Sequence, residues 1–281
     1  MRIPLVNRFT CSPKQLPIFI ERIKGKKMIP IIDNISENGS QKDKNFQNIL
    51  RDIENYPMST FAIKLSALNI RDEKESLSLI EEKVQKVCQQ IEDTGSTLII
   101  DAEEYEINHK IDQISDAMMS EFNQQQAMVY KTYQMYRSDT TKMFLEDIQK
   151  ERNYRVGCKI VRGAYYNQDV TSGKLFWRIE DTHRAYNDAI RYFLNHKSVG
   201  DKLLCATHNF ESNDIVKQHI HHGEKDLSIG HLLGMSDYLS EELVDEGISV
   251  YKYLPYGEYR DTLPYLSRRL YENYPIVGHM I

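Results

Sequence analysis

Eight short apolar runs rich in β-branched residues punctuate the chain: Met28–Ile32, Phe61–Leu65, Thr97–Asp101, Ala127–Tyr133, Val156–Val161, Lys202–Thr207, Ser228–Leu233 and Ser249–Leu254. Their starts lie roughly 32 residues apart on average, the length of one strand–helix repeat. Between them the apolar period lengthens. Leu77, Ile80, Val84, Val87 and Ile91 step by three and four, one stripe along a helix. Asp181–Leu194 does the same with Ala185, Ala189, Ile190 and Phe193, and a last helix over about Asp261–Asn273 carries Leu263, Leu266 and Leu270. A further helix, around Lys14–Lys24, precedes the first run. Continuous apolar strands alternating with amphipathic helices imply a parallel sheet covered by helices. Eight such units fit an α/β fold closed as a distorted (βα)8 TIM-type barrel, with a short helix before the last strand; an open doubly wound sheet is the alternative. The expected organisation is one domain: a lead-in with a helix over 1–27, the barrel over 28–260, the final helix over 261–274 and a tail over 275–281.

Composition narrows the function. With 36 basic and 41 acidic residues the net charge is −5, which offers no general attraction for nucleic acid or an anionic membrane. The four cysteines are widely spaced, without a C-x-x-C pair, which argues against a disulfide framework or a cysteine zinc site. Met1–Thr10 lacks a signal-peptide core, and no apolar run approaches the ~20 residues of a membrane span. The expectation is a cytoplasmic protein, at most peripheral at a membrane. No G-x-G pair occurs among the 13 glycines, so neither a Rossmann fingerprint nor a Walker A loop is present. His219, His221 and His222 lack the spacing of a metal site and read as surface.

In parallel barrels the chemistry gathers where strands end. Polar residues interrupt or close the runs there: Asp33, Lys64, Asp101, Lys131, Lys159, Arg162, Thr207, His208 and Tyr253. A buried charge must pair or meet a ligand. Lys64 and Asp101, on adjacent strands, are candidates to neutralise each other. The final helix adds Arg268 and Arg269, with Glu272 four and three residues on to orient either guanidinium. Such a pair suits a substrate carboxylate, which guanidinium groups grip through two parallel bonds.

Five segments in order then carry a family resemblance: Ile63-Lys-Leu-Ser-Ala-Leu68, Ile100-Asp-Ala-Glu-Glu104, Lys159-Ile-Val-Arg-Gly-Ala-Tyr165, Ala206-Thr-His-Asn209, and Tyr253-Leu-Pro-Tyr-Gly257 with Tyr265-Leu-Ser-Arg-Arg-Leu-Tyr-Glu-Asn273. They resemble the proline dehydrogenase family, over most of the chain. The resemblance implies a barrel holding FAD without a Rossmann domain. It also implies oxidation of L-proline to Δ1-pyrroline-5-carboxylate and passage of electrons to a quinone, with transient membrane contact. By it, Lys64, Arg268 and Arg269 bind the proline carboxylate, with Glu272 beside them, while Tyr253 and Leu232 shape the pocket. Asp101 supports the substrate site, and Lys159 is the catalytic cation near the flavin. Ala102, Lys131, Val161, Arg162, Gly163, Ala164, Tyr165, Thr207 and His208 match cofactor contacts, and Glu37 matches a gating acid. Lysine at 159, where bacterial members carry arginine, resembles the eukaryotic branch. Lys131 stands where relatives carry glutamine or asparagine. Two other readings remain: a barrel lyase using Lys64 or Lys159 as a Schiff-base nucleophile, and a non-catalytic relative that binds proline or flavin.

Overall fold

A computed structural model describes residues 6–35, 42–71 and 76–258, together with Thr262 and Leu266. All eight apolar runs become strands. They are β1 (Ile29–Asn34), β2 (Thr60–Ile63), β3 (Thr97–Ile100), β4 (Val129–Gln134), β5 (Gly157–Val161), β6 (Lys202–Ala206), β7 (Leu227–Leu232) and β8 (Val250–Tyr256). Each pairs in parallel with the next, and β8 returns to β1 over six residue pairs, from Ile29 opposite Tyr251 to Asn34 opposite Tyr256. The sheet is therefore a closed barrel, which removes the unpaired edges of an open sheet.

The helices are α1 (Val6–Phe9), α2 (Leu16–Gly25), α3 (Lys42–Asn55), α4 (Leu77–Asp93), α5 (Tyr105–Phe122), α6 (Ser138–Gln149), α7 (Tyr166–Asp169), α8 (Ile179–His196), α9 (Phe210–His221) and α10 (Asp237–Asp245). In α4 the stripe read from sequence is the buried one: Ile80, Val84, Val87 and Ile91 are all 1% exposed or less. Burying each such side chain contributes about 1.5–3 kcal/mol before entropy is counted. Ser76 caps this helix by accepting a bond from the Leu79 N–H. The α2 helix buries Leu16, Phe19, Ile20 and Ile23 and packs on β1 and β8, so it covers the seam where the barrel closes. No helix among the described residues is long and apolar enough to cross a membrane.

Strand side chains alternate between two cores. Outward residues such as Ile32, Leu98, Val129, Ile160, Leu203 and Leu254 join the large core under the helices. Inward residues Ile31, Ala62, Ile99, Leu204 and Tyr253 form a second, smaller core, with Tyr130, Leu232 and Tyr251 against it. Gly157 makes room for one of these. A Cβ there would lie 2.9 Å from carbons of the Tyr130 ring, so a larger residue would push that ring out of the barrel interior.

At the end of the barrel opposite the strand C-termini, Asn123 closes α5 and binds the next two connections. Its Nδ2 donates to the carbonyls of Val129 (2.8 Å) and Arg155 (3.0 Å), and its Oδ1 accepts from the N–H groups of Met128 (3.0 Å) and Val129 (2.8 Å). All four partners are backbone groups, which must be paired when buried. Asn123→Ala should lower the free energy of unfolding by about 3 kcal/mol, the cost of orphaning several buried groups, as measured by urea denaturation with an unchanged m-value.

Candidate active site

Strand parity decides which polar side chains reach the interior. On β1, Ile31 points in, so Asp33 does too; Ala62 on β2 and Ile99 on β3 likewise bring Lys64 and Asp101 inward. Lys159 of β5 and Tyr253 of β8 complete the group. None of the five is more than 8% exposed.

Their contacts form one connected network. Lys64 Nζ donates to both oxygens of Asp33, at 2.9 and 3.1 Å, and lies 3.5 Å from Asp101 Oδ2. Lys159 Nζ donates to Asp101 Oδ1 at 2.5 Å and to the Tyr253 hydroxyl at 2.6 Å. That hydroxyl donates in turn to Asp101 Oδ1 at 2.9 Å. Two ammonium groups and two carboxylates thus share the interior with no net charge. Burying each ion alone would cost several kcal/mol, and the pairing offsets that cost. Burial by itself would raise the Asp101 carboxyl, but Lys159 and Lys64 outweigh it and hold it at about 2. Burial also pulls the Lys159 ammonium below its ordinary value, against the attraction of Asp101. Asp101 keeps the firmer charge, because it meets two cations where Lys159 has a like charge, Lys64, nearby.

Beside this network the loop after β5 turns at Gly163. Its φ is +140°, and a Cβ there would sit 2.3 Å from the Tyr136 ring, so only glycine fits. The Tyr136 hydroxyl holds Asp169 at 2.6 Å, which accepts the Tyr105 N–H at 2.7 Å; this anchors the loop beyond Ala164 and Tyr165. Arg162 donates from Nη1 to Thr207 Oγ1 at 2.5 Å, and among the described residues it makes no ion pair. His208 accepts the Leu232 N–H at Nε2 (3.2 Å), which leaves its proton on Nδ1. Burial, with the Lys252 charge behind it, pushes this imidazole down to about 4, so it is neutral near pH 7. Its Nδ1 is buried with no partner among the described residues, as are Thr132 Oγ1 and Gln134 Oε1.

Of the residues expected from sequence, Lys64, Asp101, Lys159 and Tyr253 come together as described. Leu232 ends β7 against the inner core beside Tyr253. Val161 ends β5 opposite Gln134, and Ala102 is buried directly after Asp101. Arg268, Arg269, Glu272 and Glu37 lie outside the described residues.

Lys131 requires a correction. Tyr130 points inward, so Lys131 points out, between α5 and α6, where its Nζ meets Asp116 Oδ1 at 2.8 Å and Asp147 Oδ2 at 3.0 Å. It cannot be a cofactor contact inside the barrel. Besides Tyr130, the inward residues of β4 are Thr132 and Gln134, opposite Lys159 and Val161 of β5, and both were missed because the parity of a lone strand is not visible in its sequence. Asp33 was noted only as ending its strand, yet it is the nearer partner of Lys64. Glu103 was also missed. It accepts the Ser66 N–H at 2.8 Å, in the turn following Lys64, while its carbonyl accepts from Gln134 Nε2 at 3.2 Å.

Comparison with known proteins bears on the family and the fold. The sequence profile described as "Proline dehydrogenase" matches residues 20–280. Mitochondrial proline dehydrogenase 1 of Dictyostelium discoideum is 30% identical over 235 residues, covering 76% of this chain and 40% of that protein. Its namesake in Arabidopsis thaliana is 30% identical over 221 residues, covering 72% of this chain and 44% of that protein. The chain therefore spans less than half the length of these relatives. Among solved structures, proline utilization A of Bdellovibrio bacteriovorus, inactivated by N-propargylglycine, has a TM-score of 0.81 at 19% identity, covering 95% of this chain and 32% of that one. At that identity the likeness is one of fold. The names also correct the cytoplasmic expectation: both of these relatives are mitochondrial proteins, so a plain N-terminal decapeptide and unpaired cysteines did not fix the compartment.

Burial raises the Glu103 carboxyl from 4.5 to about 7, against the Ser66 N–H that favours its charge. The folded protein therefore holds a proton there that the unfolded chain has already released. Stability should fall as pH rises from 4.5 to about 7, by up to about 3 kcal/mol from this group. Glu103→Gln should remove that slope, which urea titrations across the same pH range would measure.

Proposed function

The chain belongs to the proline dehydrogenase family, and from that membership we propose that it oxidises L-proline to Δ1-pyrroline-5-carboxylate, with FAD as the hydride acceptor and a quinone as the onward acceptor. The observation that carries this reading is the neutral interior network of Lys64, Asp33, Asp101, Lys159 and Tyr253, together with a guanidinium that makes no ion pair with a carboxylate of the described residues. A zwitterionic amino acid suits such a place, because each of its charges finds an opposite one.

The residues present fit a flavin dinucleotide. Arg162 is a cation suited to an anion, and Thr132, Gln134 and His208 carry buried polar atoms without partners among the described residues. FAD, when bound, supplies the two-electron chemistry that no side chain of the barrel offers. The chain's own groups bind and orient. Lys64 is the described cation suited to a substrate carboxylate, since it already holds two carboxylates in the interior. By the family resemblance Arg268 and Arg269 close on the same group, and fixing the substrate in this way contributes several kcal/mol to rate. Asp101, ionised throughout the neutral range, keeps Lys159 protonated, so a cation stays in place where negative charge develops during reduction. Tyr253 and Leu232 form an apolar wall over Ile31 and Leu204, which excludes water. A quinone acceptor brings contact with a membrane surface.

A Schiff-base lyase has less support. Lys64 and Lys159 both donate to carboxylates, whereas a nucleophilic amine must first lose its proton. Turnover separates this proposal from a non-catalytic relative. The purified protein should be yellow and should bleach without oxygen when L-proline is added; a colourless protein, or a yellow one indifferent to proline, sinks it. Tyr253 meets Lys159 and Asp101 through its hydroxyl, so it occupies volume that a ring hydroxyl would need. Tyr253→Ser should raise kcat/KM for hydroxyproline relative to proline by about tenfold, in line with what one pocket contact discriminates.

A further inference from the structure

Arg162 is seated by three neutral acceptors. Its Nε donates to His183 Nδ1 at 2.8 Å, Nη1 to Thr207 Oγ1 at 2.5 Å and Nη2 to Ser212 Oγ at 2.9 Å, with the Tyr186 ring 4.4 Å from the guanidinium carbon. Glu211, the carboxylate nearby, is engaged by Asn187 Nδ2 at 3.1 Å. A guanidinium has five N–H groups and keeps all of them. Two, one on each terminal nitrogen, make no hydrogen bond among the described residues, and no carboxylate among them forms an ion pair with the guanidinium.

His183 is the one titratable acceptor in this seat. Because the arginine must donate, the contact uses the lone pair of Nδ1, and the single proton of the neutral ring sits on Nε2. We propose that His183 is a positioning residue that keeps the Arg162 guanidinium oriented and available to an oxyanion of the bound flavin dinucleotide, and that a second proton on its imidazole releases the seat. This rests on the flavin reading above. Protonation would set Nδ1–H against Nε–H, two donors head to head, and the guanidinium would have to turn out of line with Thr207 and Ser212. The charged groups facing His183 are Arg162 from the β5 loop, Glu211 from α9 and Glu180 from its own helix. Burial and Arg162 lower its proton affinity, and the two carboxylates oppose them. The ring is only half-buried, so solvent protons reach it. The seat is thus intact above the pKa of His183 and is lost as pH falls through it.

The test uses the purified flavoprotein, with flavin release followed by fluorescence from about pH 8 down to about pH 5. Wild type should release flavin about tenfold faster at the acidic end, the effect of one hydrogen bond to a charged group. His183→Asn places an amide oxygen where Nδ1 stood and does not titrate, so it should keep the slow rate at every pH. His183→Leu should be about tenfold faster throughout. Nitrogen NMR of histidine-labelled protein should find the neutral His183 ring protonated on Nε2. An asparagine variant with the same pH dependence as wild type, or a ring protonated on Nδ1, overturns the proposal. A preparation without flavin would instead refute the reading of the preceding subsection, and the NMR measurement, which needs no flavin, would still decide the His183 assignment.

Discussion

Closing eight parallel strands into a cylinder gives every strand residue one of two destinations, and successive residues take opposite ones. Nothing else in the molecule has so many consequences. The outward set must be apolar enough to hold the helices, and the inward set must fill a narrow space. Ile31, Ala62, Ile99 and Leu204 fill the inner space with hydrocarbon; Asp33, Lys64 and Asp101 follow two residues after the first three, and Lys159 stands opposite Leu204. The charged layer therefore lies on a dry floor. In that setting the attraction between opposite charges is strong, and an unpaired one is costly.

The two cationic regions solve the same problem in opposite ways. In the interior network, charge is cancelled within the protein, so an arriving ligand must exchange contacts with groups already satisfied. At Arg162, neutral acceptors fix the geometry and leave the charge standing. The first arrangement favours a partner that carries both signs, and the second favours an anion. On the function proposed above, sites of these two kinds would give a small zwitterion and a phosphate-bearing cofactor separate addresses in one barrel mouth.

Much of this was readable in the sequence, and the boundary of what was readable is physical. Each apolar run became a strand to within two residues at either end, because burial on both faces leaves an unbroken signature. Lys64, Asp101 and Lys159 stood out because charge inside such a run demands a reason. Direction was harder. Lys131 also interrupts its run, but one step of parity sends it outward to Asp116 and Asp147. A single strand does not reveal which parity is inner; Thr132 and Gln134 become visible only when β4 is laid beside β5 in register. Similarly, pairing Lys64 with Asp101 was a fair inference from adjacency, yet Asp33 on the other neighbouring strand is closer. His183 carried no signal, since it sits on a helix and acts through an arginine twenty-one residues earlier.

The α2 helix packs across β1 and β8, the first and last strands of the barrel. Its partners are thus separated by nearly the whole chain, and β1 itself waits for the same distant mate. During synthesis, the hydrophobic side of Leu16–Gly25 has half of its docking surface missing until the eighth strand has left the ribosome. Ring closure is consequently the event with the longest sequence separation, and such contacts set the slow step of folding. For a nascent copy of this chain, the interval before that step is when its sticky α2 helix most needs a chaperone's shelter.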